Sequence, residues 1–324
     1  MKVGFIGTGG ISGVHLRTLT KRAGVEIVGL CDIREEAAKE KQKEYGGEVF
    51  TDFNQMLEKV SMDAVWLCTP PQVRRDPLLA CAERGIPVFC EKPVERSEIQ
   101  AREISRELDK RDAKVQVGYV FRSMDIIRRV REAMADDTIH LIHSMYCCNM
   151  SLTRTFPEWF FNKELSGGAL IDQATHNLDL LRCLFGEVKV VSGVASNPVH
   201  AKSGTYTIDE TISLSLLFEN NITASHIHSW VGDAWRNELT FGGEKRLYRV
   251  NLNTGKLVIE EGKEAPEFTQ ESQSIFEYEI EVFINQLESG DWGTNPSSYA
   301  DAVKTLELTL ACDRALTDGP QVLR

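Results

Sequence analysis

The sequence predicts an α/β doubly wound parallel sheet, followed by an α+β domain with a large, mainly antiparallel sheet. Strands alternate with helices early in the chain, a glycine-rich turn follows the first strand, and β-prone runs with short turns dominate the later part. The length of 324 residues also exceeds what one compact core usually organises. We therefore expect one domain over residues 1–120 and a second over residues 121–324, with the last helices free to pack back on the first domain.

The first domain is predicted from its alternating pattern. Short runs rich in Val and Ile, bounded by Gly, Pro or charged residues, predict strands over Val3–Ile6, Glu26–Cys31, Ala64–Cys68, Val88–Cys90 and Val115–Val117. Apolar residues at helical spacing, together with strong helix formers, predict helices over Ile11–Arg22, Arg34–Glu44, Arg75–Arg84 and Ser97–Arg111. Because such crossovers are right-handed, these segments build a parallel sheet that is covered on both faces.

The second domain is predicted from a change of pattern after about residue 120. Helices are expected over Asp125–Asp136 and Ala169–Phe185, with a strand over His140–Asn149 between them. Six further strands are predicted over Lys189–Ala195, Thr211–Phe218, Ile222–Trp230, Asn237–Phe241, Arg246–Leu252 and Lys256–Glu260. Consecutive strands with short connections pair antiparallel. Helices near Ser274–Leu287 and Ser298–Thr317 close the chain.

Composition and charge exclude several classes of protein. Lys and Arg number 37 and Asp and Glu number 48, so the formal net charge is −11 and no basic excess is available to bind nucleic acid. No apolar run approaches the roughly 18 residues that a membrane span needs. The glycines within residues 7–10 interrupt the apolar start before a secretory signal could form. The eight cysteines include no C-x-x-C pair, and we expect reduced, buried thiols in a cytoplasmic protein.

The amino terminus carries the residues of a phosphate cradle. The first strand runs into Gly7-Thr8-Gly9-Gly10-Ile11-Ser12. Gly7 permits a tight turn, Gly9 has no side chain to hold a pyrophosphate away from the backbone, and the helix that follows offers N–H groups and the positive end of its dipole. Ser12 takes the third glycine position of the dinucleotide fingerprint and is small enough for close packing. The pattern predicts a Rossmann domain whose Gly7, Thr8, Gly9, Gly10 and Ile11 bind a dinucleotide.

An acidic residue follows the second strand, twenty residues beyond Ser12. A carboxylate at Asp32 can accept hydrogen bonds from the adenosine ribose hydroxyls and would repel a 2′-phosphate. Asp32 could alternatively cap the next helix. Arg34 is also a candidate cofactor contact and could bind a 2′-phosphate. Asp32 therefore favours NAD as the cofactor, while Arg34 leaves NADP as an alternative.

Two loops that contain prolines leave the carboxyl ends of parallel strands, where open α/β sheets bind their ligands. One contains Thr69-Pro70-Pro71 and the other contains Glu91-Lys92-Pro93. Considered alone, a lysine between Glu and Pro is typical of a solvated turn. In this position Lys92 is a candidate functional residue, and Thr69, Pro70, Glu91 and Lys92 are candidate cofactor contacts.

With the glycine turn and the acidic residue, these loops make the chain resemble the family of glucose–fructose oxidoreductase and inositol dehydrogenase. The resemblance extends over essentially the whole chain and includes the stretch Ala80–Pro93. It implies that Lys92 is a catalytic lysine and that the activity is dehydrogenation of a sugar, an inositol or a related polyol. It also implies homodimers or homotetramers, as does the prediction of an antiparallel sheet with one uncovered face.

A second constellation lies in Ser166-Gly167-Gly168-Ala169-Leu170-Ile171-Asp172-Gln173-Ala174-Thr175-His176. Asp172 and His176 are four residues apart, so on a helix their side chains emerge on one face. A D-x-x-x-H spacing also occurs by chance on many helix surfaces. The glycine pair before it and Asn177-Leu178-Asp179 after it match the same family, and the resemblance implies that Asp172 and His176 are its other two catalytic groups.

The sequence also departs from the family pattern. The usual Thr-Pro-Asn-x-x-His reads Thr69-Pro70-Pro71-Gln72-Val73-Arg74, so Pro71 and Arg74 replace an Asn and a His. A frequent Trp-Arg reads Trp159-Phe160. The substrate of one family member is therefore not transferred to this chain.

These residues predict hydride transfer between a secondary carbinol and nicotinamide. His176 would take the hydroxyl proton, Lys92 would stabilise the oxygen, and Asp172 would favour the protonated imidazole or orient the lysine. A glycosidase that oxidises its sugar transiently would need the same residues, and tightly held NAD without net NADH release would distinguish it. A non-catalytic NAD(P)-sensing protein would not need these three groups. A methyltransferase would need neither the Glu91-Lys92-Pro93 loop nor the Asp172/His176 pair.

Other candidates have simpler interpretations. His226 and His228 lie two apart on a predicted strand, where a metal site is conceivable, but no Cys or acidic ligand has matching spacing and we expect a polar sheet face. His140 and His143 are interpreted in the same way, no chemistry is assigned to the Cys147-Cys148 pair, and no metal is expected. Tyr119 and Trp159 could line the substrate pocket or belong to the core.

Overall fold

The computed structural model describes residues 1–270 and 274–323. Of these, the residues within Met1–Ser123 and Gln273–Leu306 form one compact unit, and those within Met124–Ser272 and Glu307–Arg324 form a second unit. Each unit is therefore built from two separate stretches of the chain. No helix in the described part of the chain is long and apolar enough to cross a membrane.

The first unit contains a parallel sheet. Its strands are Lys2–Ile6 (β1), Glu26–Cys31 (β2), Glu48–Phe50 (β3), Ala64–Leu67 (β4), Val88–Cys90 (β5) and Val115–Val117 (β6). They are arranged in the order β3-β2-β1-β4-β5-β6, and every neighbouring pair is parallel. The doubly wound prediction is confirmed. Strand β3 was not predicted from the sequence.

Helices connect and cover the sheets. Those between the strands of the first unit are Gly10–Leu19 (α1), Glu35–Tyr45 (α2), Phe53–Lys59 (α3), Arg75–Glu83 (α4) and Glu98–Asp109 (α5). The later helices are Asp125–Met134 (α6), Met150–Thr153 (α7), Lys163–Ser166 (α8), Thr175–Phe185 (α9), Ile275–Ser289 (α10) and Tyr299–Asp318 (α11). Short 3-10 turns lie at Pro71–Val73, Val120–Ser123 and Glu158–Phe161, and a π-helical turn occupies Leu170–Ala174.

A row of aromatic rings forms the core of the first unit. The ring centroid of Trp66 on β4 lies 6.0 Å from that of Phe5 and 5.6 Å from that of Phe89, and the planes are nearly parallel. Phe283 on α10 packs edge-on against Trp66 at 5.1 Å. All four side chains are fully buried, and burial of each contributes about 1.5–3 kcal/mol. Helix α10 therefore packs on the centre of the parallel sheet.

Within the described residues, the second unit contains a nine-stranded sheet. Its strands are Ile139–Cys147 (β7), Val188–Ser196 (β8), Thr211–Phe218 (β9), Thr223–Ser229 (β10), Arg236–Gly243 (β11), Leu247–Asn251 (β12), Lys256–Glu260 (β13), Glu267–Thr269 (β14) and Gln321–Val322 (β15). The order is β14-β13-β12-β11-β7-β10-β9-β8-β15. All pairs are antiparallel except β7 with β10, so the prediction of a mainly antiparallel sheet is confirmed.

One face of this sheet is buried beneath α9. Phe185 at the end of α9 packs edge-on against Phe218 and Phe241, with ring centroids 6.4 and 5.2 Å away. On the exposed side, Leu141 keeps 54% and Val194 keeps 70% of its surface accessible. The parallel pair is possible because β7 is separated from the later strands by a long crossover that contains α9.

Candidate functional site

Gly7 sits at the turn between β1 and α1, and only glycine fits there. Its φ is +89°, and a Cβ added to it would lie 2.7 Å from the carbonyl carbon of Cys68. The Gly7 N–H donates to the carbonyl of Cys31 at 2.8 Å. The turn is therefore wedged between the carboxyl ends of β2 and β4, the place where the predicted fingerprint requires it.

The start of α1 faces open space. A Cβ on Gly9 or Gly10 would meet no atom within 4 Å. Gly9 is the N-cap residue, makes no side-chain capping bond, and no acidic residue lies in the first turn. Ser12 is fully buried and its hydroxyl donates to the carbonyl of Gly9 at 2.6 Å, while Ile11 is half-buried. These residues fit a dinucleotide, because the backbone N–H groups at the helix start are approachable by a pyrophosphate.

Asp32 follows β2 and is fixed by three hydrogen bonds. Its Oδ2 accepts from the backbone N–H of Thr8 at 2.9 Å and from the Thr8 hydroxyl at 3.1 Å, and its Oδ1 accepts from the backbone N–H of Arg34 at 2.9 Å. Burial raises the pKa of Asp32, but these hydrogen bonds outweigh it and hold the pKa below its ordinary value. Asp32 is thus an ordered anion beside the cradle, and the Arg34 side chain next to it is 71% exposed.

The two loops with prolines meet at the ends of β4 and β5. Thr69 is half-buried and Pro70 is exposed, while Glu91 is buried and Lys92 is half-buried. The guanidinium of Arg74 donates to the Thr69 carbonyl from Nε at 2.9 Å. Because β4 and β5 are neighbours, the candidate cofactor contacts predicted from both loops share the carboxyl edge of the sheet with the cradle.

Buried ionisable groups surround the main chain of Lys92. The Nε2 atom of His15 on α1 lies 2.6 Å from Oε1 of Glu91. Burial raises the pKa of Glu91, but the hydrogen bond with His15 and the charges of Lys92 and Arg74 lower it below the ordinary value. On α10, burial and the charge of Glu91 raise the pKa of Glu279 well above the ordinary value. The first unit thus holds two buried carboxyl groups near Lys92 whose pKa values are shifted in opposite directions.

In the second unit, a pair of glycines leads into the turn that carries Asp172. Gly167 and Gly168 have φ of +86° and +67°, a conformation that favours glycine. The π-helical turn then contains Asp172, and His176 lies in the first turn of α9. The sequence predicted one continuous helix here, so the π turn is a correction. π-helical turns are rare in proteins, and those that occur often lie at functional sites.

Asp172 and His176 share the accessible side of this helical segment. Both are half-buried, whereas Gln173, Thr175 and Asn177 are buried. The predicted common face of the pair is therefore present in the second unit.

The opposite side of the segment is anchored to the sheet by amides. Oε1 of Gln173 accepts from the indole N–H of Trp230 at 2.7 Å. Nδ2 of Asn177 donates to the hydroxyl of Ser144 at 3.2 Å and to Oδ1 of Asn237 at 2.8 Å. These buried amide contacts fix the rotation of the helix, and hence the direction in which Asp172 and His176 point.

The histidines on β10 lie on the buried face. His226 and His228 are both fully buried, so the prediction of a polar sheet face was wrong: the two residues share one face, but that face packs beneath α9. Nδ1 of His226 is 3.0 Å from the hydroxyl of Ser144. Burial lowers the pKa of His226 to about 3 and that of His228 well below its ordinary value. Both imidazoles are therefore neutral at physiological pH.

The candidate substrate residues occupy different environments. Tyr119 is 2% exposed and lies directly before the 3-10 turn Val120–Ser123. Trp159 is 53% exposed, and its ring packs edge-on against Phe160, which stacks on Trp230 at 5.0 Å. No group of three or more His, Cys, Asp or Glu residues within the described ranges could hold a metal ion, and the eight cysteines are all free thiols.

Comparison with known proteins identifies the family to which this fold belongs. Residues 1–119 match the family model "Oxidoreductase family, NAD-binding Rossmann fold", and residues 127–249 match the model "GFO/IDH/MocA C-terminal domain". A dinucleotide cradle on a parallel sheet, followed by a unit with a large mixed sheet, defines the chain as an NAD-binding oxidoreductase of the Rossmann class. The chain belongs to the GFO/IDH/MocA oxidoreductase family.

Several named relatives match over nearly their whole length. The myo-inositol 2-dehydrogenase of Thermotoga maritima is 24% identical over 302 residues, which cover 90% of this chain and 89% of that protein. The inositol 2-dehydrogenase of Rhizobium meliloti is 25% identical over 338 residues, covering 99% of this chain and 98% of that protein. An oxidoreductase from Agrobacterium radiobacter, solved in complex with NAD+, L-tartaric acid and magnesium, has the same fold, with a TM-score of 0.85, 18% identity and coverage of 99% and 98%.

Proposed function

We propose that this chain is an NAD-dependent dehydrogenase that transfers a hydride between nicotinamide and a secondary alcohol or ketone of a sugar, an inositol or a related polyol. The observation that carries the proposal is the common accessible face of Asp172 and His176, in a chain whose other unit presents a dinucleotide cradle and Lys92. The two relatives named inositol 2-dehydrogenase support the substrate class.

NAD is the proposed cofactor in preference to NADP. Asp32 is held as an anion after β2, where it could accept hydrogen bonds from the adenosine ribose of a bound dinucleotide, and its charge would repel a 2′-phosphate. The exposed Arg34 provides a weak counter-attraction because solvent screens it. Bound NAD+ in the Agrobacterium radiobacter protein is consistent with this choice.

The catalytic roles follow from the chemistry of three side chains. A bound NAD would supply the acceptor for the hydride, with its two electrons, that leaves the carbinol carbon. His176 takes the hydroxyl proton as the hydride leaves, and imidazole suits this role because it titrates near neutral pH. Lys92 donates a hydrogen bond to the same oxygen and stabilises its negative charge. Asp172, on the same helical face, stabilises the imidazolium that forms.

Two aromatic residues are proposed substrate contacts. The indole of Trp159 is exposed and packs against Phe160, which stacks on Trp230. Such a supported aromatic surface suits contact with the apolar face of a sugar ring. Tyr119 would contribute only from within the wall of the pocket, since its side chain is buried. We also propose a homodimer or homotetramer, in which the exposed sheet face around Leu141 and Val194 is covered.

A screen of NAD reduction tests the proposal. Wild-type protein is incubated with NAD and, separately, with sugars, inositols, aminosugars and sugar acids, and NADH is followed by its absorbance. His176→Ala serves as the control, and NAD binding to both proteins is measured by titration. We expect NADH formation with at least one polyol, and a loss of at least about 100-fold in the control, which still binds NAD.

Two other outcomes would redirect the assignment. Cleavage of a glycoside with tightly held NAD and no net NADH would identify the glycosidase that oxidises its substrate transiently. NAD binding with no turnover of any substrate, in both the wild type and the control, would indicate a sensing protein. Either result contradicts the proposed dehydrogenase.

A further inference from the structure

Arg74 is a buried cation whose guanidinium contacts main-chain carbonyls of two loops. The residue is 3% exposed. Nε and Nη2 donate to the Thr69 carbonyl at 2.9 and 2.6 Å, and Nη1 donates to the carbonyls of Glu91 and Pro93. Nη2 also lies 3.5 Å from the Lys92 carbonyl. One side chain therefore reaches every carbonyl from residue 91 to residue 93.

This contact set suits arginine in particular. A guanidinium carries five N–H donors in a rigid plane, whereas an imidazole offers at most two donors and an ammonium offers three on a flexible stem. Position 74 is also where the sequence departs from the family pattern, which has a histidine there. Arg74 consequently bridges the loops after β4 and β5 with hydrogen bonds that neither a histidine nor a lysine at this position could reproduce in full.

The other side of the same loop is held through Glu91. Its carboxylate lies 2.6 Å from Nε2 of His15, and it accepts the Lys92 backbone N–H at 3.1 Å. Arg74 and Glu91 are both buried and carry charges of opposite sign, and the positive charge of Arg74 is one of the causes that lower the pKa of Glu91. The main chain around Lys92 is therefore held by donors from Arg74 and by an acceptor from Glu91.

We propose that Arg74 is a positioning residue that fixes the main chain of Lys92, and so the point from which the lysine ammonium reaches the substrate oxygen. The expected effect on the reaction rate rests on the proposed function, whereas the contacts of Arg74 are observed independently of it. Lysine has four rotatable side-chain bonds, so the placement of its ammonium depends on a rigid base. A shift of about 1 Å at a reacting group can cost about 100-fold in rate.

The test compares Arg74→Lys and Arg74→Ala with wild type. Arg75→Ala is the matched control, because Arg75 is the next residue and its side chain is 56% exposed. We expect both Arg74 variants to lower kcat at least about 10-fold with little change in KM, and Arg75→Ala to leave both constants unchanged. Guanidinium chloride at a millimolar concentration, far below denaturing levels, should restore part of the kcat of Arg74→Ala, whereas urea at the same concentration should not.

A second measurement does not depend on catalysis. Amide hydrogen exchange of the segment 88–96 is compared with that of the segment 98–109, which covers α5. We expect faster exchange of 88–96 alone in the Arg74 variants, and this would be seen even if no polyol were a substrate. Unchanged exchange in Arg74→Lys, or full kcat in that variant, overturns the positioning role while leaving the dehydrogenase proposal intact. A loss of kcat that guanidinium does not restore, with unchanged exchange, overturns it as well.

Discussion

The Nε2 atom of His15 lies 2.6 Å from Oε1 of Glu91, and both side chains are buried. His15 belongs to α1, the helix that begins at the dinucleotide cradle, and Glu91 directly precedes Lys92. The pair therefore links the predicted cofactor site to the loop that carries the proposed catalytic lysine, within one compact unit.

Removal of this partner should destabilise the first unit. His15→Leu removes the imidazole hydrogen bond from the buried Glu91 carboxylate, which typically costs about 1–3 kcal/mol in the free energy of unfolding. Because the folded pKa of Glu91 is lowered, its stabilisation is present above the ordinary carboxyl pKa and is lost as the pH falls. Urea unfolding of wild type and variant at several pH values checks this, and the difference should shrink in acid. The control Lys21→Ala, which breaks the exposed pair with Glu277, should cost less than about 1 kcal/mol.

An added methyl group should affect stability at one glycine of the cradle and NAD binding at another. Gly7→Ala should lower stability by about 1–3 kcal/mol, because φ is +89° and the Cβ would press on the Cys68 backbone. Gly9→Ala should fold normally, since its Cβ meets no atom within 4 Å, but it should bind NAD at least about 10-fold more weakly because the methyl group fills the space for the pyrophosphate. Melting temperatures and NAD titrations separate the two effects. Normal NAD affinity in Gly9→Ala would contradict the cradle.

Loss of the charge at Asp32 should change the cofactor preference. Asp32→Asn removes the anion that the hydrogen bonds from Thr8 and Arg34 hold in place. We expect the affinity for NAD to fall by about 10- to 100-fold and the ratio of NADP to NAD affinity to rise, because a charged hydrogen bond is lost and a repulsion disappears. Titration with both cofactors measures the ratio. Asp63→Asn, which alters a carboxylate bonded to the Lys2 backbone, is the control and should leave the ratio unchanged.

The buried imidazoles of β10 should make the protein sensitive to acid. Because burial lowers the pKa of His226 to about 3 and that of His228 well below its ordinary value, the unfolded chain binds protons below about pH 6.5 that the native protein does not. Their contribution is intact above that pH, and each histidine removes about 1.4 kcal/mol per pH unit as the pH falls below it. His228→Phe should flatten the slope by about one proton in urea unfolding between pH 4 and 6.5. An unchanged slope would contradict a neutral buried His228.

Much of the fold followed from periodicity alone. Strands β2, β5, β6, β9 and β13 have the predicted bounds, because each is a short β-prone run between clear turn residues. The position of β7 between β10 and β11 could not be predicted, since it depends on a crossover through α9 that local patterns do not record. The residues described by the structure also show why the β10 histidines were misjudged. Alternation along β10 reveals that His226 and His228 share a face, but not which face is covered.

The candidate site was predicted unevenly. Gly7, Asp32 and Lys92 could be predicted as candidates because each occupies a strand end with a recognisable motif. His15 and Arg74 were missed as supporting residues, because their partners lie 76 and 17 residues away along the chain. A usable signal existed only for Arg74, which replaces a family histidine beside a loop of candidate ligands. The anchoring amides Gln173 and Asn177 lie in the stretch that resembles the family, but the sequence does not show which sheet residues they contact.

In the proposed mechanism, Lys92 and His176 act on one substrate oxygen. A double-mutant cycle in single-turnover NAD reduction tests it most directly, with the polyol that the screen identifies. Lys92→Met and His176→Ala should each slow the hydride step at least about 100-fold while NAD still binds, and the double variant should be slowed by much less than the product of the two effects. Near wild-type rates in either single variant, or fully multiplicative losses in the double variant, would contradict a shared oxygen.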